Sequence, residues 1–229
     1  MTAARQVFVA LVVALLLVVA TVAALQYRTL HVTRARLAAV APSAVDVGFA
    51  QFMSLHHQQA VVMAQLMRDD ESSAVANLAQ SIIGAQLLEL GEMRGWLRLW
   101  NKPFFPESRA MSWMLLGDDP PSQALAQYLL DCEASPTGMP GLATDQQLNR
   151  LRSLQGLARS RLFLELMLAH HEGGIPTARI AAQNASSHAV RRVASHIVFE
   201  PTKEVAGIRV ILHASRLVPS SDYARPPTA

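Results

Sequence analysis

Four of the eight histidines stand in two adjacent pairs, His56-His57 and His170-His171, and a methionine lies three residues before each pair, at Met53 and Met167. A phenylalanine lies four residues further back in both copies, at Phe49 and Phe163, so the pattern Phe-x3-Met-x-x-His-His repeats with an offset of 114 residues. Imidazole and thioether are metal donors. Methionine sulfur is soft and favours Cu(I), while imidazole accepts Cu(I) or Cu(II). Calcium and magnesium would require carboxylate oxygens, which the motif lacks. Zinc is open to the histidines alone, but the His-Glu-x-x-His protease arrangement fails, since His171-Glu172-Gly173-Gly174 is followed by Ile175. The same residues also admit a structural reading, in which the histidines are hydrogen-bonded core residues and the methionines are packing. The metal candidates are Met53, His56, His57, Met167, His170 and His171, with copper as the expected ion and the first repeat favoured.

Residues three and four apart share one face of a helix, so Met53 neighbours both His56 and His57. Adjacent histidines lie about 100° apart around the axis. Only one of each pair can therefore point straight inward, with its neighbour on the flank. Other chemistries find little support. No Glu has a His three residues later, and Glu89, Glu165 and Glu204 are too few for a di-iron carboxylate cage. No glycine-rich phosphate loop or nucleophile elbow is visible, so the expectation is a protein that is not an enzyme. Cys132 is the single cysteine, which excludes an intrachain disulfide.

The elements that must carry the motifs are helical. Apolar residues make up 51% of the chain and aromatic residues 6%, a composition of packed helices. Val45, Phe49, Phe52, Met53, His56, Ala60, Met63 and Met67 recur at helical steps, starting near Ser43–Asp46, where Ser and Asp suit an N-cap. Asp69-Asp70-Glu71-Ser72 forms the turn. A second helix then shows Ile82, Ile83, Gln86, Leu90, Met93, Leu97 and Trp100 on one face until Asn101-Lys102-Pro103 stops it. Met63, Met67 and Met93 read as core, and Gln86 and Glu89 as interhelical polar contacts. Residues 101–143 are broken by six prolines and form a connector with a short helix at Ser122–Asp131. Thr144-x-x-Gln147 reads as a capping box. One helix follows, interrupted at Gly156, then a longer one from about Ala158 and a last one from about Ser187 to Leu217. His31, His188, His196 and His213 stand alone and read as surface or packing residues.

The pattern resembles the DUF305 family, found in bacterial exported and anchored proteins. The resemblance rests on Asp46, Met53, His56, His57, Ala60, Met63 and Ala64. It continues through Gln86-x-x-Glu89-Leu90-x-x-Met93-x-x-Trp96-Leu97 and Met139-x-Gly141, then Met167, His170, His171 and Gly174. It implies a ferritin-like four-helix bundle of two pseudo-repeated helical pairs, and a copper-handling role, because some relatives are periplasmic copper-binding proteins. The second copy departs from the family pattern. Its Gln-x-x-Glu reads Pro201-Thr202-Lys203-Glu204, the methionines expected at Thr177 and Ile208 are absent, and Pro176 inside the helix favours a kink.

Ahead of the bundle, Gln6–Tyr27 holds 22 uncharged positions, and about 20 suffice to span a bilayer. An uncleaved signal anchor is expected; a cleaved signal peptide is the rival, although the apolar run is long for one. One Arg precedes the span and three follow it, which by a bare count places the body in the cytoplasm. The export-like N-terminus and the family resemblance point the other way, to a single-pass protein with its body on the extracytoplasmic side. Arg5, Arg28, Arg34 and Arg36 precede the first acidic residue, Asp46; from there on the chain has 16 basic and 17 acidic residues. The basic character thus belongs to the segment flanking the anchor, where it can meet lipid phosphates, and a nucleic-acid partner is not expected.

The expected layout is a signal anchor over 1–27, a juxtamembrane segment over 28–43, the bundle over 44–217 and a disordered tail over 218–229. Within the bundle, repeat one covers 44–100, the connector 101–143 and repeat two 144–217. Expected partners are membrane lipid through the anchor and either an envelope protein or a second copy of the chain. The competing function is a non-catalytic envelope scaffold that docks through the Trp96/Trp100 face and Phe104-Phe105.

Overall fold

The computed structural model describes residues 3–117 and 121–217; the expected tail lies outside them. The chain is 80% helical, with no strand among the described residues. It divides into two units, Met1–Ala41 and Pro42–Ala229.

The first unit is one helix, α1 (Ala3–Val40), which runs unbroken across the boundary expected at residue 27. Its stretch Ala3–Ala35 is long and apolar enough to cross a membrane. The hydroxyls of Thr21 and Thr29 donate to the carbonyls of Leu17 and Leu25, one turn back, at 2.7 and 2.9 Å. Such bonds satisfy a polar group inside an apolar helix.

The second unit contains α2 (Ala44–Gln65), α3 (Ser73–Leu99), a 3₁₀ turn (Ser112–Leu115), α4 (Gln123–Ala134), α5 (Asp145–Ser153), α6 (Gly156–Asn184) and α7 (His188–Leu217). The four long helices form the expected bundle. α2 packs on α3 and α6 packs on α7, while α2 and α6 pack on each other at the centre; α3 and α7 meet over a smaller area. Local signals set the ends. Ser43 and Asp46 make a capping box at α2, and Thr144 and Gln147 make one at α5. Asn101 takes the left-handed conformation (φ 53°) and lets the Lys102 N–H donate to Leu97 O at 2.8 Å, which closes α3. Gly156 (φ 55°) turns the chain from α5 into α6. Pro176 lies inside α6, which continues to Asn184.

The core falls into two apolar clusters. One gathers Phe49, Met53, Met93, Leu97, Ala178, Ala181, Val190 and Ala194. The other gathers Ala60, Met63, Met67, Ile82, Phe163, Leu164, Met167 and Ile208. The N-terminal half of α2 thus packs with the C-terminal half of α6, and the reverse holds in the second cluster. The two motif helices therefore run antiparallel and are related by a pseudo-twofold axis. Met63, Met67 and Met93 are fully buried, as their helical spacing predicts.

Two polar devices fasten this frame. The buried Asp46 carboxylate accepts from Ser43 N (2.7 Å), Ser43 Oγ (2.7 Å), Ser186 Oγ (2.5 Å) and Ser187 N (3.0 Å), so it ties the start of α2 to the start of α7. The connector is sewn to the motif helices. Gln59 accepts from Ala143 N at 2.6 Å and donates to Ala143 O at 2.9 Å. Tyr128 donates to Gly173 O at 2.8 Å and shares a 3.0 Å hydrogen bond with Thr177. Gly141 (φ 85°) and Gly173 bring backbone onto backbone: a Cβ on Gly173 would stand 2.1 Å from Pro140 O.

Candidate metal centre

The two His-His pairs meet where α2 crosses α6. His56 and His170, equivalent positions in the two repeats, stack at the crossing with ring centroids 3.6 Å apart and planes tilted by 31°. The Nε2–H of His170 donates to the main-chain carbonyl of His56 at 2.9 Å. Space for the His56 ring is made by Gly174, where a Cβ would come within 2.8 Å of His56 Cε1. Both rings are held well below the ordinary imidazole range, first by burial and then by the neighbouring histidines, which disfavour added charge. They are therefore neutral and able to act as donors toward a metal.

The second histidine of each pair lies on the flank, as the 100° step predicts. Ring centroids are 6.1 Å apart in His56-His57 and 6.0 Å apart in His170-His171. Each flank histidine faces the partner helix of its own pair. His57 donates from Nε2 to Glu89 Oε2 on α3 at 2.7 Å, and His171 donates from Nε2 to Glu204 Oε2 on α7 at 2.5 Å. Glu89 takes a second donor, Nδ1 of the half-exposed His196, at 2.9 Å. Burial alone would raise the Glu89 pKa, but the hydrogen bonds and charge of His57 and His196 bring it below the usual carboxylate value, so it is ionised.

Both motif methionines are fully buried, but on opposite sides of the histidine crossing, Met53 in one apolar cluster and Met167 in the other. Five ring nitrogens are buried with no hydrogen-bond partner: both of His56 and the Nδ1 atoms of His57, His170 and His171. Gln86 Oε1 is in the same condition. Buried polar atoms are nearly always paired, so a cluster of unpaired ones calls for a physical reason. Metal donation is one. Among the described residues, no three His, Cys, Asp or Glu side chains converge as a ready cage. The donor set present is imidazole nitrogen and thioether.

Two participants escaped sequence reasoning. His196, read as standing alone, is the outer partner of Glu89. Two others read as standing alone also have neighbours: His188 Nδ1 accepts from Arg191 at 2.8 Å, and His31 packs near Tyr27. Glu204 closes the second copy's Gln-x-x-Glu, whose Gln is missing. It pairs with His171 as Glu89 pairs with His57, so the second repeat keeps its His–Glu bond without the Gln. The signal was present in the chain: Glu89 follows His57 by 32 residues and Glu204 follows His171 by 33.

Residues 46–212 match the model of DUF305, a domain of unknown function. The chain belongs to the DUF305 family. Its structure is similar to that of a DUF305 protein from Streptomyces coelicolor, with a TM-score of 0.64 and 31% identity, over 75% of this chain and 94% of that one. It is also similar to a DUF305 fragment from Deinococcus radiodurans (TM-score 0.57, 23% identity, 76% of this chain and 99% of that one). A third similar structure is CopM in its Cu(I)-bound form (TM-score 0.53, 22% identity, 74% and 96%). No curated protein matches the chain by sequence. At these last two identities the likeness speaks for the DUF305 fold, which all three share.

Proposed function

We propose that this DUF305 protein is an anchored envelope protein that binds copper for storage, buffering or delivery rather than for turnover. The observation that carries the reading is the set of buried imidazole nitrogens without partners at the crossing of α2 and α6. His56, His57, His170 and His171 supply nitrogen, and Met53 and Met167, one helical turn before the pairs, supply thioether sulfur. A soft donor set suits Cu(I), and an arrangement without a four-ligand cage suits it better than structural zinc, which asks for a closed tetrahedron. The fold relative CopM is described in Cu(I)-bound and Cu(II)-bound forms. The apolar α1 supports a single-pass anchor, and the export-like N-terminus supports a bundle outside the cytoplasm.

Titration of the full-length protein in detergent with Cu(I) and Cu(II), in competition with a chelator, tests the reading. Wild type is compared with His56→Ala/His57→Ala, His170→Ala/His171→Ala and the quadruple variant. Each pair should weaken binding at its own repeat by at least about 10-fold, since even changes outside the ligand shell cost that much. Equal binding by wild type and the quadruple variant would leave the histidines structural and the scaffold role in place.

A further inference from the structure

The buried imidazoles of the two motifs face different groups, and this decides where their protons sit. A neutral imidazole carries one N–H and one lone pair, and an ionised carboxylate only accepts. His57 Nε2 lies 2.7 Å from Glu89 Oε2, and His171 Nε2 lies 2.5 Å from Glu204 Oε2. In the neutral rings the proton of each therefore sits on Nε2, and the lone pair sits on Nδ1. Those two Nδ1 atoms are buried and have no partner. His170 is set the same way by another acceptor, the carbonyl of His56, and its Nδ1 is likewise unpartnered. Among the described residues, no second histidine meets Glu204 as His196 meets Glu89, but the inner bond is the same in both repeats. A carboxylate that holds one ring nitrogen of a histidine orients the ring and makes the other nitrogen a better ligand.

We propose that Glu89 and Glu204 are positioning residues that hold His57 and His171 as Nε2–H tautomers, so that each offers Nδ1 as its metal-binding atom. The ligand half of this statement rests on the copper reading above; the tautomer half does not.

The test has two arms. In the first, the metal-free full-length protein, labelled with nitrogen-15 in detergent micelles, is examined by long-range proton–nitrogen correlation of the histidine rings at mildly alkaline pH. His57 and His171 should be protonated at Nε2 and bare at Nδ1. A proton on Nδ1 of either ring, alone or in a mixture, overturns the proposal. In the second arm, Glu89→Gln and Glu204→Gln are titrated with Cu(I) beside wild type. Glutamine keeps the shape but can turn an NH2 toward the ring. Nε2 then becomes the acceptor, and the proton moves to Nδ1, the donor atom. Each variant should show that change in its nitrogen-15 spectrum and bind Cu(I) about 10- to 100-fold more weakly, with helix content unchanged by circular dichroism. Variants that bind as tightly as a copper-binding wild type overturn the proposal and leave the copper reading standing. A wild type that binds no Cu(I) removes the copper reading and the ligand half together, while the spectra still decide the tautomers.

Discussion

Gly174→Ala tests whether the histidine crossing is as tightly packed as it looks. Gly174 lies within α6, where exchanging glycine for alanine ordinarily stabilises by about 0.5–1 kcal/mol through chain entropy. Here the new Cβ would stand 2.8 Å from His56 Cε1 and 3.2 Å from Nε2. Carbon contacts sit at about 3.5–4.0 Å, so the ring must retreat by well over half an ångström. It has little room to do so. It stacks on His170 at 3.6 Å, and both rings are almost wholly buried. Overpacking of this kind costs about 1–3 kcal/mol, and disturbing a stacked ring pair adds about 0.5–1.5 kcal/mol. The net is a loss of roughly 1–3 kcal/mol. For a domain of this size each kcal/mol moves Tm by about 2–4 °C, so the melting point should fall by roughly 2–12 °C. The control is Gly91→Ala on α3, where an added Cβ meets nothing within 4 Å and the melting point should rise. Thermal melts followed by circular dichroism of both variants and wild type decide it. If Gly174→Ala melts as high as Gly91→Ala, the crossing is not close-packed and the account of the site is wrong.

Three further outcomes follow from the same structure. Asp46→Ala removes the acceptor shared by Ser43, Ser186 and Ser187 and uncaps two helices, at about 1 kcal/mol per cap and more for the charged hydrogen bonds; urea unfolding should show a loss of roughly 3 kcal/mol. Burial alone would raise the Asp46 pKa, but these hydrogen bonds bring it below 3.8, so its contribution is complete above that pH and fades as pH drops through the folded value. The variant should lack that part of the acid slope. His56 and His170 have lowered pKa values, so the unfolded chain takes up protons below about 6.5 that the folded chain refuses. Stability should then fall by up to about 2.7 kcal/mol per pH unit for the two groups together, a slope readable from unfolding midpoints across mildly acid pH. Cys132 is buried, and its thiol is pushed up to about 11, mainly by burial. Thiol reagents at neutral pH should label it slowly in the folded protein and fast after unfolding, and rapid native labelling would contradict the packing around α4.

What was legible in the sequence, and what was not, follows the range of the interactions concerned. The N-cap at Ser43–Asp46, the capping box at Thr144/Gln147, the break near Gly156 and the apolar faces of α2 and α3 are written within a few residues of themselves. The structure places them as the spacing predicts. The split of each His-His pair into one inward and one flanking ring also follows from helix geometry alone. The partners of the flanking rings do not. Glu89 reaches His57 across 32 residues, and Glu204 reaches His171 across 33, so the extra residue takes Glu204 out of the 114-residue register that exposed the repeat. His196 meets Glu89 across 107 residues and has no pattern to announce it. The connector hid its role for a related reason. Its prolines mark where helices cannot run, but not that Gly141 lies against Gly173 backbone to backbone, two residues beyond His171.

The methionines sharpen what a metal would have to do. One shared centre would need Met53 and Met167 on the same side of the histidines. The antiparallel crossing instead carries them to opposite sides of the His56–His170 stack, one in each apolar cluster. A single ion bound by both sulfurs would have to draw two fully buried side chains across that stack. Two ions, each served by the Met and His side chains of one repeat, would leave both clusters in place. The pseudo-twofold relation between the repeats and the matching Glu89–His57 and Glu204–His171 bonds favour this second arrangement. A copper-binding isotherm should therefore saturate at two equivalents per chain rather than one, and removing either His-His pair should leave a single equivalent. Saturation at one equivalent in wild type would mean that the crossing itself rearranges around a shared ion, and the two-sided reading of the methionines would be lost.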